Sequence, residues 1–171
     1  MLTALVGLFG IVLGAVITGA IKLWMERQQR HERIRDIQTA LRAEIRSNRA
    51  RLAGLDWDGH ANAIARRIRN GGNTYTPFVP HEPQAMIFDS LLGHIHILPG
   101  RVIDPVVLYY RQIASVARFA EDLRSEKYAA LDAGRKVDMY KDYLDMSKYA
   151  VELAEAAIAA LSSALEQGAD Q

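Results

Sequence analysis

The most apolar part of the chain is its beginning, where residues 2–21 contain no charged side chain. A helix rises about 1.5 Å per residue, so about 20 apolar residues cross the roughly 30 Å hydrocarbon core of a bilayer. The run therefore predicts a transmembrane anchor over residues 1–24. A cleaved signal peptide is one alternative, but no basic residue precedes the run and no small-residue cleavage site follows it. A buried core helix is the other, and the length of the run and its lack of a polar face disfavour it.

Basic side chains follow this run and none precedes it. They are Lys22, Arg27, Arg30, Arg33 and Arg35. Because basic residues beside a span stay in the cytoplasm, we predict a single-pass protein of the inner membrane with its N-terminus outside. The residues expected to contact lipid headgroups are Lys22, Trp24, Arg27 and Arg30.

After the span, apolar positions recur at helical spacing. The stripe consists of Ile34, Ile37, Leu41, Ile45, Leu52 and Leu55, with Asn48 in its gap. Since no Pro or Gly interrupts the chain between Trp24 and Gly54, the pattern predicts one helix from about residue 2 to 55. Its part over residues 25–58 is a juxtamembrane helix continuous with the anchor.

Residues 59–171 show no strand-like alternation and predict a cytoplasmic helical bundle. The fold class is therefore all-α, with a single N-terminal transmembrane helix that continues into the bundle. The predicted elements are a short basic segment over 60–70, a Pro-containing loop over 71–83, a helix from Pro83 to about Gly93, an apolar connector over 94–99, and two long helices over about 102–131 and 136–165.

The two long helices each carry an apolar stripe. In the first it is Val106, Tyr110, Ile113, Val116, Phe119, Ala120 and Leu123, with Pro105 expected in the first turn. In the second it is Val137, Tyr140, Leu144, Tyr149, Leu153, Ala156, Ala160 and Leu165. The Ala-rich stretch over 154–164 indicates close helix contact.

Small residues mark one face of the predicted span. They are Thr3, Gly7, Gly10, Gly14 and Thr18, at steps of three and four. Association of helices in lipid depends on close backbone approach at such residues. We therefore predict a homo-oligomer with Gly7, Gly10, Gly14 and Thr18 at its interface.

Composition narrows the function further. The chain has 21 Lys and Arg against 20 Asp and Glu, which argues against a specific nucleic-acid partner. It has no cysteine, in agreement with a reducing compartment. It contains no phosphate-binding Gly loop, no G-x-S-x-G and no H-E-x-x-H, so we expect neither an enzyme nor a cofactor.

Three residue groups have two interpretations. His94 and His96, with His81 or Glu82, have the side chains of a zinc site, but their apolar segment favours ordinary turn histidines and no metal. The tyrosines of the last two helices either line a ligand-binding cage or pack in the core, and core packing is favoured. They are Tyr109, Tyr110, Tyr140, Tyr143 and Tyr149. Glu44 and Asn48 either contact a polar partner in the bundle, such as an Arg or Tyr of a later helix, or line a small site. We favour the first alternative, in which both residues have a structural role.

Two patterns carry a resemblance. The long helix contains L-x-x-E-I-x-x-N, from Leu41 to Asn48, and the chain later contains L-P-x-x-V-x-x-x-V-x-x-Y-Y, from Leu98 to Tyr110. With the N-terminal span, this layout loosely resembles small uncharacterised single-pass bacterial membrane proteins, which imply no activity. It is also similar to the oligomeric membrane effectors that accompany some CRISPR systems. Those are associated with HEPN-like bundles, but no His here follows an Arg at the R-x(4–6)-H spacing of their nuclease motif.

The predicted function is a membrane-anchored helical scaffold or interaction module that self-associates through its transmembrane helix. Its partners would be membrane lipid, further copies of the chain and a cytoplasmic protein. The alternative is an oligomeric membrane-perturbing or pore-like effector in phage defence.

Overall fold

The structure, a computed structural model, describes residues 2–52, 56–71, 75–79 and 85–168, with side chains from residue 17 onward in the first helix. Within these ranges the chain is helical and contains no strand, so the all-α prediction is confirmed. The elements are α1 (Leu2–Leu52), α2 (Trp57–Gly71), α3 (Met86–Leu91), a 3₁₀ helix (Leu92–Ile97), α4 (Gly100–Arg124), α5 (Glu126–Ala129) and α6 (Ala133–Gln167).

The chain divides into two compact units, residues 1–37 and residues 38–171. The first consists of most of α1, and every side chain described from 17 to 33 is exposed. No helix is long and apolar enough to cross a membrane, as judged on the described part of the chain. The side chains of residues 2–16, which make up most of the predicted span, lie outside that part.

The core of the second unit is built on α4 and α6, and α2 packs against α6. The predicted α4 stripe is confirmed at Val106, Tyr110, Ile113, Val116, Ala120 and Leu123, all buried. Phe119 was placed wrongly, since it is only half-buried. Successive residues of a helix point about 100° apart, so only one of Phe119 and Ala120 can face the centre of the core, and the buried one is Ala120.

α4 is shorter than predicted at its C-terminus. It ends at Arg124, where Ser125 adopts an extended conformation (φ −74°, ψ 154°). The Ser125 hydroxyl accepts a hydrogen bond from the Tyr128 backbone N–H at 3.2 Å and so caps α5. α4 also begins earlier, at Gly100, which places Pro105 in its second turn instead of its first.

The α6 stripe is confirmed in its first half, at Val137, Tyr140 and Leu144. The second half is wrong, because its larger members are not buried and Tyr149 is 51% exposed. The buried positions there are Ser147, Ala150, Ala154, Ala157, Leu161 and Ala164. Small side chains allow α6 to approach its neighbours closely and leave the bulky residues at the rim.

The α1 stripe is confirmed at Ile37, Leu41 and Ile45, whereas Ile34 and Leu52 are only half-buried. Leu41 and Ile45 are almost wholly buried, as is Asn48 in the gap, whereas Leu55 lies outside the described residues. An ion pair joins this part of α1 to α6, with Arg49 Nη2 at 2.6 Å from Glu155 Oε1.

The segment before α4 also differs from the prediction. The helix expected from Pro83 begins at Met86, and Pro83 itself lies outside the described residues. The expected connector over 94–99 is largely the 3₁₀ helix. Residues 75–79 have no regular secondary structure.

Candidate functional site

The exposed part of α1 combines apolar and basic side chains. Its large exposed apolar residues are Ile17, Ile21, Leu23, Trp24 and Met25, each at least half exposed. The four predicted headgroup residues lie on this same stretch, within about 12 Å along the helix axis. Of the predicted oligomer residues, Thr18 is exposed, while Gly7, Gly10 and Gly14 have side-chain positions outside the described residues.

A second candidate site is the buried carboxylate of Glu44, on the core-facing side of α1. Its Oε2 accepts a hydrogen bond from the Tyr110 hydroxyl at 2.5 Å. The backbone N–H of Ile87 donates to Oε1 at 2.7 Å and that of Phe88 donates to Oε2 at 3.1 Å. The prediction that Glu44 faces a Tyr of a later helix is confirmed.

The arrangement joins three elements that are distant in sequence. Glu44 belongs to α1, Tyr110 to α4, and the two N–H groups to the first turn of α3. The Phe88 ring also stacks on the Tyr110 ring, with centroids 3.9 Å apart and planes 12° apart. Burial, followed by the hydrogen bond to Glu44, raises the pKa of Tyr110 far above its ordinary value, so the phenol stays protonated as the donor.

Asn48 lies one turn of α1 beyond Glu44 and is almost fully buried, since its exposed fraction is 7%. Its Nδ2 has no hydrogen-bond partner within the described part of the chain. A buried amide donor without a partner costs about 1–3 kcal/mol, so the Asn48 side chain is expected to lower the stability of the fold.

Four of the five tyrosines named from the sequence are packing residues. Tyr109, Tyr110, Tyr140 and Tyr143 are each at most 6% exposed. The Tyr140 hydroxyl lies 3.1 Å from His60 Nε2, which links α6 to α2. The prediction of packing is therefore confirmed for these four tyrosines.

Lys136 was missed, although it is fully buried near the start of α6. Its Nζ donates to the Tyr75 carbonyl oxygen at 3.4 Å, and its own carbonyl accepts from the Tyr128 hydroxyl at 3.1 Å. Burial raises the pKa of Tyr128 to about 12. Lys136 lies directly before Val137, a member of the predicted apolar stripe, and this position was the only indication in the sequence that Lys136 could be buried.

A shallow pocket of about 260 Å³ lies between α2 and α6. Trp57 and Asp58 line it from α2, and Lys141, Asp145 and Lys148 line it from α6. Because all but Trp57 among these side chains are exposed, water screens their charges, and the pocket has the character of a solvated surface.

The histidines considered for zinc are exposed on the 3₁₀ helix, at positions 94 and 96. His81 and Glu82, the further ligands considered with them, lie outside the described residues. No cluster of three His, Asp or Glu able to hold a metal ion occurs in the ranges that are described.

Comparison of the chain with protein-family models, curated proteins and solved structures found no match.

Proposed function

We propose that this protein is a membrane-anchored helical scaffold that self-associates through its N-terminal helix. The observation that carries the proposal is the exposed apolar stretch of α1, which directly follows the uncharged run over residues 2–16. Together they form one helical segment rich in apolar residues, which a nonaqueous environment would stabilise.

The energetic argument is direct. Burying one large aliphatic or aromatic side chain is worth about 1.5–3 kcal/mol. Ile17, Ile21 and Leu23 are each at least half exposed, so water is an unfavourable surrounding for this part of α1. Extended exposed apolar surface of this kind is typical of membrane or protein contact.

The charges around this stretch support a lipid surface as the contact. Lys22, Arg27 and Arg30 follow the apolar run, and each basic residue near an anionic leaflet contributes about 1 kcal/mol of attraction. Trp24, 67% exposed, lies among them, and in this arrangement its indole would lie at the membrane–water interface, where Trp is enriched. The bundle would then face the cytoplasm.

Self-association is the second part of the proposal, and it rests on small residues spaced at steps of three and four along the uncharged run. Gly10 and Gly14 are separated by one turn, which allows two helix backbones to approach closely in lipid. Replacing both with Ile keeps the segment apolar and long enough to insert. The Gly10→Ile, Gly14→Ile variant should therefore stay in the membrane and lose most of its oligomer.

The matched control is the Val12→Phe, Val16→Phe variant, which adds comparable bulk to the other side of the same helix. At about 100° per residue, these two positions lie roughly opposite the two glycines, and they have the same spacing. Crosslinking in native membranes should show the wild-type oligomer in this control and a reduced oligomer in the glycine variant. An equal oligomer in both variants would overturn the proposed interface. Release of the wild-type protein from membranes by alkaline carbonate would overturn the anchor itself.

A further inference from the structure

The outer face of α2 carries three arginines and no acidic residue. The exposed arginines are Arg66, Arg67 and Arg69, which we call the arginine face. Residues 59–71 contain no Asp or Glu, so no opposite charge accompanies the arginines along this part of the helix. The near-neutral balance of the whole chain thus conceals a local excess of positive charge.

The three guanidinium groups are not engaged by the protein itself. Within the part of the chain that the structure describes, none of them forms an ion pair or a side-chain hydrogen bond. Arg49 behaves differently, since its Nη2 lies 2.6 Å from Glu155 Oε1. Each guanidinium has five N–H donors, and its planar geometry matches phosphate oxygens well. The arginine face is therefore suited to a polyanion.

The arginines are spread around the outer side of α2. Its buried side is formed by Ile64, Ala65 and Ile68. Since successive residues of a helix point about 100° apart, Arg66 points directly away from the core, with Arg67 about 100° to one side and Arg69 about 60° to the other. α2 packs mainly against one helix, α6, which leaves this outer side open. The arrangement fits a concave anionic surface with a floor and two walls.

We infer that the arginine face binds double-stranded DNA in the major groove. This groove is about 12 Å wide and admits an α-helix, whose diameter with side chains is about 10–12 Å. Arg67 and Arg69 would donate to phosphates on the two walls, and Arg66 would face the floor, where guanine presents two acceptors. Asn62 and Asn70, both exposed, lie about 40° to either side of Arg66, and their short side chains permit this approach.

Two other polyanions fit this face less well. Duplex RNA has a deep, narrow major groove that side chains cannot read. A lipid leaflet is flat, so it would not contact arginines spread over about 160° of the helix. Contacts that are mostly to phosphates carry little sequence information, which agrees with the near-neutral composition of the chain.

The position of α2 in the second unit also disfavours lipid. α1 joins this unit beside the end of α6, where Arg42 Nη1 lies 3.5 Å from Ser162 Oγ. α2 packs beside the first half of α6, where His60 Nε2 lies 3.1 Å from the Tyr140 hydroxyl. These two levels of α6 are about 33 Å apart. The arginine face is therefore remote from the point at which α1 joins the unit.

Fluorescence anisotropy of a labelled DNA duplex tests the inference on the full-length protein in detergent. The Arg66→Gln, Arg67→Gln, Arg69→Gln variant should bind about tenfold or more weakly than the wild type at about 50 mM salt. The matched control replaces three exposed arginines of α4 with Gln and changes the net charge equally; they are Arg101, Arg111 and Arg118. The control should bind like the wild type. An equal loss in both variants, or no binding by the wild type, would overturn the inference.

Salt dependence tests the individual contacts. Two phosphate contacts predict a slope of log affinity against log salt of about −1.8 for each bound copy, which is a roughly 12-fold loss from about 50 to 200 mM salt. Arg67→Gln and Arg69→Gln should each reduce this slope by about 0.9, whereas Arg66→Gln should weaken binding at an unchanged slope. Because all three positions are exposed, the circular dichroism spectra should not change. An unchanged slope in Arg67→Gln and Arg69→Gln would contradict the groove contact.

Competition identifies the polyanion. Unlabelled duplex DNA should displace the labelled duplex far better than duplex RNA of the same sequence or polyglutamate of equal charge does. Equal displacement by RNA would overturn the major-groove contact, and equal displacement by polyglutamate would indicate an acidic protein partner and overturn the choice of DNA. Neither result bears on the membrane anchor, because crosslinking of the glycine variant tests that proposal separately.

Discussion

The Glu44 carboxylate is expected to be the main link between α3 and the bundle, and Glu44→Ala tests this. The substitution leaves three donors without an acceptor. The Tyr110 residue is only 4% exposed, and a buried donor left unsatisfied costs about 1–3 kcal/mol. The first-turn N–H groups of α3 lose a cap, which costs about 0.5–2 kcal/mol.

The free energy of unfolding should therefore fall by about 1.5–5 kcal/mol, since the two losses are independent to a first approximation. Tyr110→Phe removes only one of the three hydrogen bonds and should have a smaller effect, about 1.5–3 kcal/mol. Glu152→Ala is the matched control, because Glu152 is an exposed glutamate on α6. It should change stability by less than about 0.5 kcal/mol.

Two measurements separate this link from general destabilisation. Urea unfolding in detergent, followed by circular dichroism, gives the free energies. Amide hydrogen exchange reports the N–H groups of Ile87 and Phe88 individually, and these should lose protection in Glu44→Ala while the amides of α4 keep theirs under native conditions. Unchanged protection at positions 87 and 88 would refute the reasoning.

Two further predictions concern the core and its tyrosines. Leu123→Ala removes a fully buried side chain and should lower the free energy of unfolding by about 2–5 kcal/mol. Phe119→Ala should lower it by only about 1–2 kcal/mol, because the Phe119 ring is half-buried. Thermal unfolding of both variants gives the order of the two effects, and a larger effect at Phe119 would contradict the assigned buried face of α4. Burial raises the pKa of Tyr128 from its ordinary value of 10 to about 12, so the unfolded state loses the phenol proton at lower pH than the folded state does. Between pH 10 and pH 12 the contribution of Tyr128 should therefore lower the free energy of unfolding by up to about 1.4 kcal/mol per pH unit. Between pH 10 and pH 12 the free energy of unfolding of Tyr128→Phe should fall less steeply than that of the wild type. An identical slope would contradict the raised pKa of Tyr128.

Helical periodicity predicted the α1 and α4 faces well because their buried positions are large and apolar, as at Leu41, Ile45 and Val116. It failed in the second half of α6, where Ala154 and Ala157 form the contact. Hydrophobicity alone favours the bulkier Leu153, but close packing selects the smallest side chains. The end of α4 was missed because Ser125 offers a local hydrogen bond that competes with helix continuation.

The Glu44 site was partly predictable. A carboxylate beside an apolar stripe indicates a buried polar partner, and a Tyr of a later helix was among those expected. The backbone N–H groups of α3 were not predictable, because any residue can supply such a donor and the contact spans about forty positions in sequence. Lys136 was missed for a related reason, since its partner is the backbone carbonyl of Tyr75.

The most direct test of the membrane-anchored account is cysteine accessibility at three sites of this cysteine-free chain. Single Ile11→Cys, Arg30→Cys and Gln171→Cys variants are treated with a membrane-impermeant maleimide in intact spheroplasts and again after permeabilisation. We predict no labelling in intact spheroplasts, labelling of Arg30→Cys and Gln171→Cys after permeabilisation, and none of Ile11→Cys under either condition. Labelling of Gln171→Cys in intact spheroplasts would reverse the orientation, and labelling of Ile11→Cys after permeabilisation would contradict the span.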